Sequence, residues 1–195
     1  NYGFEIRNGG RCMRTLKLNN ETKQNIQQDL LKRSPGHYTE YEGRVNAIVA
    51  DVRERGDKAV FAYTRQFDGA DISSDNVKVT DAEIESAYEQ VDKKLLSVIR
   101  RAKKNIFAYH EKQKQYSWFD SEESGILLGQ KVTPLSCAGV YVPGGKAVYP
   151  SSVLMNVIPA KVAGVDRIIM TTPPDADGIV PASTLVAARE AGVDE

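Results

Sequence analysis

The sequence predicts an α/β chain in three parts: a helical amino-terminal region, a β-hairpin and a βαβα unit that is left incomplete. Three observations predict it. Apolar residues recur at helical spacing through most of the region before Gln115, two strand-like runs then flank a turn-rich connection, and from Ala138 short apolar runs alternate with helical stretches.

The first twelve residues, 1–12, show no periodicity, and Met13 opens the regular pattern, so they are expected to be an added or upstream leader, with a native strand or arm as the alternative. From Asn20 to Arg33 the residues Ile26, Leu30 and Leu31 suit one helix face behind an Asn20 cap, and Ser34-Pro35-Gly36 stops the pattern. Tyr38, Tyr41, Val45, Ile48, Val49 and Val52 form an apolar stripe ended by Gly56. Asp57 can cap a third helix with Val60, Tyr63, Thr64 and Phe67 on one side, ended by Asp68-Gly69. Val77 to Val79 reads as a brief strand. Thr80-Asp81-Ala82-Glu83 has the capping-box pattern, in which hydroxyl and carboxylate each satisfy a free backbone amide at a helix start. Behind Asp92, the positions Leu95, Leu96, Ile99, Ala102, Ile106 and Tyr109 describe a long helix to about Lys114. These helices make up region 13–115.

Region 116–136 reads as a hairpin: Tyr116 to Phe119 and Ile126 to Val132 are strand-like and Ser121-Glu122-Glu123-Ser124-Gly125 joins them. In region 137–195, Ala138 to Val142 is a strand ended by Pro143-Gly144-Gly145, and Ser151 or Ser152 can cap a helix closed by Gly164. Arg167 to Thr171 is a second buried-type strand, Pro173-Pro174 breaks it, and Pro181 opens a helix through Ala191. Parallel strands joined by a helix make this half of a Rossmann-like unit. Gly192 to Glu195 looks like the approach to a third strand. Two parallel strands cannot cover their own faces, so the sheet is expected to be completed by residues outside this sequence.

Composition narrows the function classes. With 41% hydrophobic and 27% charged residues the chain has the balance of a globular protein, and 26 basic residues offset 26 acidic ones. No global field draws it to nucleic acid or an anionic membrane. The basic residues Lys93, Lys94, Arg100, Arg101, Lys103 and Lys104 read as a solvated helix face rather than a phosphate grip. Cys12 and Cys137 belong to no metal or redox spacing, which fits free thiols and a cytoplasmic location. No apolar run approaches the roughly 20 residues a membrane helix needs.

The strongest chemical signal is Val140-Tyr141-Val142-Pro143-Gly144-Gly145 leading into Tyr149-Pro150-Ser151-Ser152-Val153-Leu154-Met155. Glycines after a strand let backbone approach a ligand, and the next helix start offers unpaired amides to phosphate or carboxylate. The G-x-G-x-x-G fingerprint is absent, so a nucleotide site and a plain strand-to-helix turn both fit. Tyr141, at the strand's carboxyl end, can stack or hydrogen-bond at a crevice or fill core.

Gly139 to Gly145, Pro150 to Met155 and Ile158-Pro159-Ala160-Lys161-Val162-Ala163-Gly164-Val165 together resemble the signature region of the histidinol dehydrogenases. Upstream, Val52 to Ala59, Phe67-Asp68-Gly69 and Asn105 to Gln113 resemble that family's amino-terminal helices in the same order, and the resemblance spans about Met13 to Glu195. It implies an aldehyde dehydrogenase-like fold, a homodimer, a zinc ion, and oxidation of L-histidinol through histidinal to L-histidine with NAD. Tyr141 matches a tyrosine that contacts cofactor in the family. The candidate cofactor-binding residues are therefore Tyr141, Pro143, Gly144 and Gly145. The family's zinc ligands and its Glu-His pair, which would move protons and activate water, match nothing in these residues, so no catalytic or metal residue is assigned, and the segment alone is expected to be inactive. The alternatives are a helical interaction or dimerisation module, or another aldehyde dehydrogenase-like oxidoreductase.

Three residues invite overreading. His110 beside Glu111 reads as a surface helix pair, and His37 as a loop residue. Cys137 reads as a small buried thiol rather than a nucleophile, since no base neighbours it in sequence. Pro159 removes one donor inside its helix, so a kink is expected there.

Overall fold

The computed structural model describes residues 5–8, 11–14, 19–32, 39–121, 125–144 and 147–195. The Ser34-Pro35-Gly36 stop, His37, the Glu122 to Ser124 part of the hairpin connection, and Gly145 lie outside them. The chain divides into two compact units, Asn1–Arg55 and Gly56–Glu195.

In the first unit β1 (Glu5–Asn8) pairs antiparallel with β2 (Arg11–Arg14), Glu5 opposite Arg14. Helix α1 (Asn20–Lys32) is capped one residue earlier than the sequence suggests: the Thr22 amide donates to Asn19 Oδ1 at 2.8 Å, and the Asn19 amide donates back to Thr22 Oγ1 at 2.9 Å. Helix α2 (Thr39–Arg55) carries the expected stripe from Tyr41 to Val52, Tyr38 lying outside the described residues, and within it Tyr41 and Val45 are exposed.

The second unit holds the core. Helix α3 (Asp57–Asp68) has Gly56 rather than Asp57 at its cap position, and Gly69 closes it in the left-handed conformation, φ 76°. Val77 to Val79 is not a strand. Asn76 Oδ1 accepts from the Ser73 amide at 2.6 Å and the Val77 amide donates to the Ser73 carbonyl at 2.9 Å, so a local turn consumes groups that strand pairing would need. Helix α4 (Asp81–Gln90) has the predicted capping box, Thr80 amide to Glu83 Oε2 at 2.7 Å and Glu83 amide to Thr80 Oγ1 at 3.2 Å. Asp92 caps α5 (Lys93–Glu111) through the Lys94 amide at 3.0 Å.

β3 (Trp118–Asp120) and β4 (Leu128–Gln130) form the expected antiparallel hairpin, Phe119 opposite Gly129, with every strand residue exposed. β5 (Cys137–Tyr141) and β6 (Arg167–Thr171) pair in parallel, Cys137 opposite Arg167 and Tyr141 opposite Thr171. Between them runs α6 (Pro150–Ala163), and α7 (Ala182–Ala191) follows β6. The described residues thus form a helix-rich α/β structure with three two-stranded sheets.

The predicted Ser151 or Ser152 cap is replaced by Tyr149, with Pro150 at the first helical position and no side-chain cap. Proline suits that position because its fixed φ is already helical and its missing N–H would have no partner. Gly164 and Gly192 close α6 and α7 in the left-handed conformation, φ 88° and 93°.

Strand alternation splits the parallel pair into two faces. Ala138, Val140, Ile168 and Met170 turn toward α5, α6 and α7, joining Ile99, Val153, Val157, Ile158 and Val186 in the core. Cys137, Gly139, Tyr141, Arg167, Ile169 and Thr171 face outward. Beyond α7 the chain runs back along β6: the Glu195 amide donates to the Ile168 carbonyl at 3.3 Å and the Met170 amide to the Glu195 carbonyl at 2.7 Å, the bonding of a parallel rung beside Ile169.

Candidate functional site

The carboxyl end of β5 brings the sequence candidates to the surface. Tyr141 is its last residue and is 63% exposed, whereas Val142 is 1% exposed and anchors the chain behind it. The Val142 amide donates to the Thr171 carbonyl at 2.9 Å, extending the β5–β6 ladder one residue past the strand. Pro143 is exposed and Gly144 half-buried. The next helix starts at Pro150 without a side-chain cap, and in its first turn the Ser152 amide donates to the Tyr149 carbonyl at 3.0 Å.

Gly144 is close to protein. A Cβ there would lie 3.1 Å from Pro173 Cγ, 3.1 Å from the Pro173 carbonyl oxygen and 3.2 Å from Thr172 Oγ1. The segments leaving β5 and β6 therefore meet at a position where a Cβ would fit only if its neighbours gave way by a few tenths of an ångström. Next to the β6 end lies an open cavity of about 640 Å³, walled in part by Val60, Phe61, Val79, Thr171, Thr172 and Ile179. Tyr141, Pro143 and Gly144 are not among its lining residues. Sequence reading assigned nothing to Thr171 and Thr172, although a strand ending in two hydroxyl residues at the carboxyl edge of a parallel pair is where such clefts form.

Carboxylates near these elements are committed to structure. Glu83, on the cavity wall, is held below the usual carboxylate range by the Thr80 amide first and the Thr80 hydroxyl second. Asp194 is likewise lowered, first by the Ile168 amide at 2.8 Å and then by Lys161 Nζ at 2.9 Å.

Cys137 is exposed, not buried as the sequence suggested, because alternation places it on the outward face with Gly139 and Tyr141. His110 pairs through Nδ1 with Gln113 Oε1 at 2.7 Å and meets the Tyr109 ring edge-on at 5.2 Å. Among the described residues no group of three or more His, Cys, Asp or Glu side chains could hold a metal ion. No helix among them is long and apolar enough to cross a membrane.

The histidinol dehydrogenase family profile matches residues 31–195. The chain belongs to the histidinol dehydrogenase family. It is 54% identical over 152 residues to the histidinol dehydrogenase of Heliobacterium mobile, covering 78% of this chain and 36% of that protein. It is also 54% identical over 166 residues to that of Bacillus subtilis, covering 85% of this chain and 38% of the relative. The crystal structure of histidinol dehydrogenase from Elizabethkingia anophelis superposes with a TM-score of 0.71 at 32% identity, over 79% of this chain and 35% of that one. The chain thus spans somewhat over a third of the length of the curated histidinol dehydrogenases it matches.

Proposed function

We propose that these residues serve an NAD-dependent, zinc-containing histidinol dehydrogenase that oxidises L-histidinol through histidinal to L-histidine in histidine biosynthesis. The observation that carries the reading is Tyr141, an aromatic side chain standing 63% exposed at the carboxyl end of a parallel strand inside the region the family profile matches. Open α/β sheets take ligands at that end.

In this reading region 13–115 is the helical part, 116–136 the hairpin and 137–195 an incomplete Rossmann-like unit. The parallel β5–β6 pair with α6 between its strands and α7 after it supports that unit. Tyr141 offers a ring on which a flat heterocycle can stack and a hydroxyl that can donate to it. Pro143 and Gly144 carry the backbone away from the strand and leave the ring accessible, and α6 starts a few residues on with no side-chain cap. When bound, NAD accepts the hydride removed in each of the two oxidations.

Zinc does not fit the described residues, since no ligand set converges among them. Its ligands would have to come from outside these residues. The enzyme acts in the cytoplasm as a homodimer. The exposed Trp118, Phe119 and Leu128 of the hairpin support a surface that another polypeptide covers.

Histidinol and NAD supplied to the full-length enzyme carrying this segment should give two NADH per histidinol consumed. The 195-residue chain alone should give none. NADH formation by the isolated chain overturns its expected inactivity, and no histidinol-dependent reduction by the full-length enzyme overturns the assignment.

A further inference from the structure

The β5 and β6 ends are laced together at three successive levels. Tyr141 stands opposite Thr171, the Val142 amide donates to the Thr171 carbonyl at 2.9 Å, and Gly144 lies against Thr172 and Pro173. The first two contacts are ordinary ladder pairing, which most residue types could make. The third depends on residue type.

Glycine is not needed at 144 for its backbone conformation. The left-handed glycines among the described residues are Gly56, Gly69, Gly125, Gly164, Gly178 and Gly192, and Gly144 is not one of them. It is needed for space: any side chain would press on Pro173 Cγ and the Pro173 carbonyl at 3.1 Å and on Thr172 Oγ1 at 3.2 Å. The wall it would meet is partly backbone, which cannot swing aside as a flexible side chain can. A proline follows at Pro174, further limiting the loop's freedom. A Cβ at 144 therefore presses Pro143 and Gly144 away from Thr172 and Pro173 by a few tenths of an ångström.

We propose that Gly144 is a positioning residue for cofactor binding. Its missing side chain lets the Pro143-Gly144 backbone lie against Thr172 and Pro173, and that contact sets the course of the chain beside Tyr141. This rests on the reading of Tyr141 as a cofactor contact. It assigns Gly144 a different role from Tyr141: Gly144 acts through Thr172 and Pro173, and its close approach is to protein. The same contact ties the Tyr141 loop to Thr172 in the wall of the 640 Å³ cavity.

The test is a mutant cycle in the full-length enzyme carrying this segment, comparing Gly144→Ala, the pair Thr172→Ala/Pro173→Ala, and the three changes combined. Gly144→Ala should raise KM for NAD about tenfold, the size of effect expected when a loop beside a binding site is displaced. KM for histidinol should stay within about twofold. Removing Pro173 Cγ and Thr172 Oγ1 takes away two of the three obstacles, so the combined variant should recover NAD binding to within about threefold of the parent, a coupling that independent sites would not show. An unchanged KM for NAD in Gly144→Ala overturns the proposal. So does a loss that the Thr172→Ala/Pro173→Ala change does not relieve at all, since two of the three contacts would then carry none of the effect. If Gly144→Ala is too unstable to assay, the combined variant is compared with the Thr172→Ala/Pro173→Ala pair. A ratio of KM values for NAD within about threefold supports the wall contact and a larger one overturns it. Failure of the cofactor reading itself gives a separate result, unaltered NAD affinity in Tyr141→Ala.

Discussion

Ile168→Ala is expected to destabilise the Gly56–Glu195 unit by about 3 kcal/mol, within the usual range for truncating a fully buried isoleucine. Ile168 is 0% exposed in the middle of β6, paired with Ala138 on β5, and its side chain lies in the core shared with α6 and α7. Close packing in such a core leaves the cavity largely unfilled after truncation, so the loss includes both the transferred methylenes and the void. Ile168→Val removes a single methylene and should cost about 1 kcal/mol. Urea unfolding of the chain, followed by circular dichroism, reads both. A loss under about 1 kcal/mol for the alanine variant would mean that β6 is not packed as described.

The second large effect is expected at Glu190, which joins three helices. Its Oε1 accepts from the Tyr88 hydroxyl at 3.0 Å and from Arg100 Nε and Nη2 at 3.0 and 2.8 Å, so α4, α5 and α7 meet at one carboxylate whose side chain is only 12% exposed. Glu190→Ala leaves the half-buried Tyr88 hydroxyl without its acceptor and should cost about 1–3 kcal/mol. The hydrogen bond from Arg100 is the largest influence holding the Glu190 carboxyl below its ordinary value of 4.5, and Tyr88 adds to it against the opposing effect of burial. A carboxyl lowered in the folded state contributes stability that is complete above its unfolded pKa and is lost as pH falls through the folded one. Acid unfolding of Glu190→Gln should therefore show a shallower fall in stability below pH 4.5 than the parent. The slope should not vanish, because Glu83, Asp194 and Glu195 are also lowered. An identical acid profile in the two proteins would remove Glu190 from the account.

Local chemistry was the part of this fold most legible in the sequence. The Thr80–Glu83 box, the Asp92 cap and the glycine stops at 69 and 164 lie within a few residues of the groups they satisfy, so their patterns suffice. Where two local solutions compete, pattern decides less. Val77 to Val79 has strand-forming residues, yet Ser73 and Asn76 offer a nearer partner. Asn19 wins over Asn20 as a cap by one position, and Tyr149 with Pro150 displaces the serines.

Long-range placement was legible only in outline. The order strand, glycine loop, helix, strand, helix could be read, and so could Tyr141 at a strand end. That Cys137 shares the outward face follows from alternation once the covered face is known, and only packing against α6 and α7 reveals which face that is. Thr171 and Thr172 as a cavity wall, and Gly144 as a contact with Thr172 and Pro173, depend on residues far apart in the sequence coming together. No spacing within one segment records that approach.

The claim on which the functional reading depends is that a cofactor ring meets Tyr141. Calorimetric titration of NAD into the full-length enzyme carrying this segment, parent against Tyr141→Ala, measures it directly. Loss of one aromatic stacking partner should weaken NAD about tenfold, in line with about 1–3 kcal/mol per stacked base. Equal dissociation constants for the two proteins would contradict it.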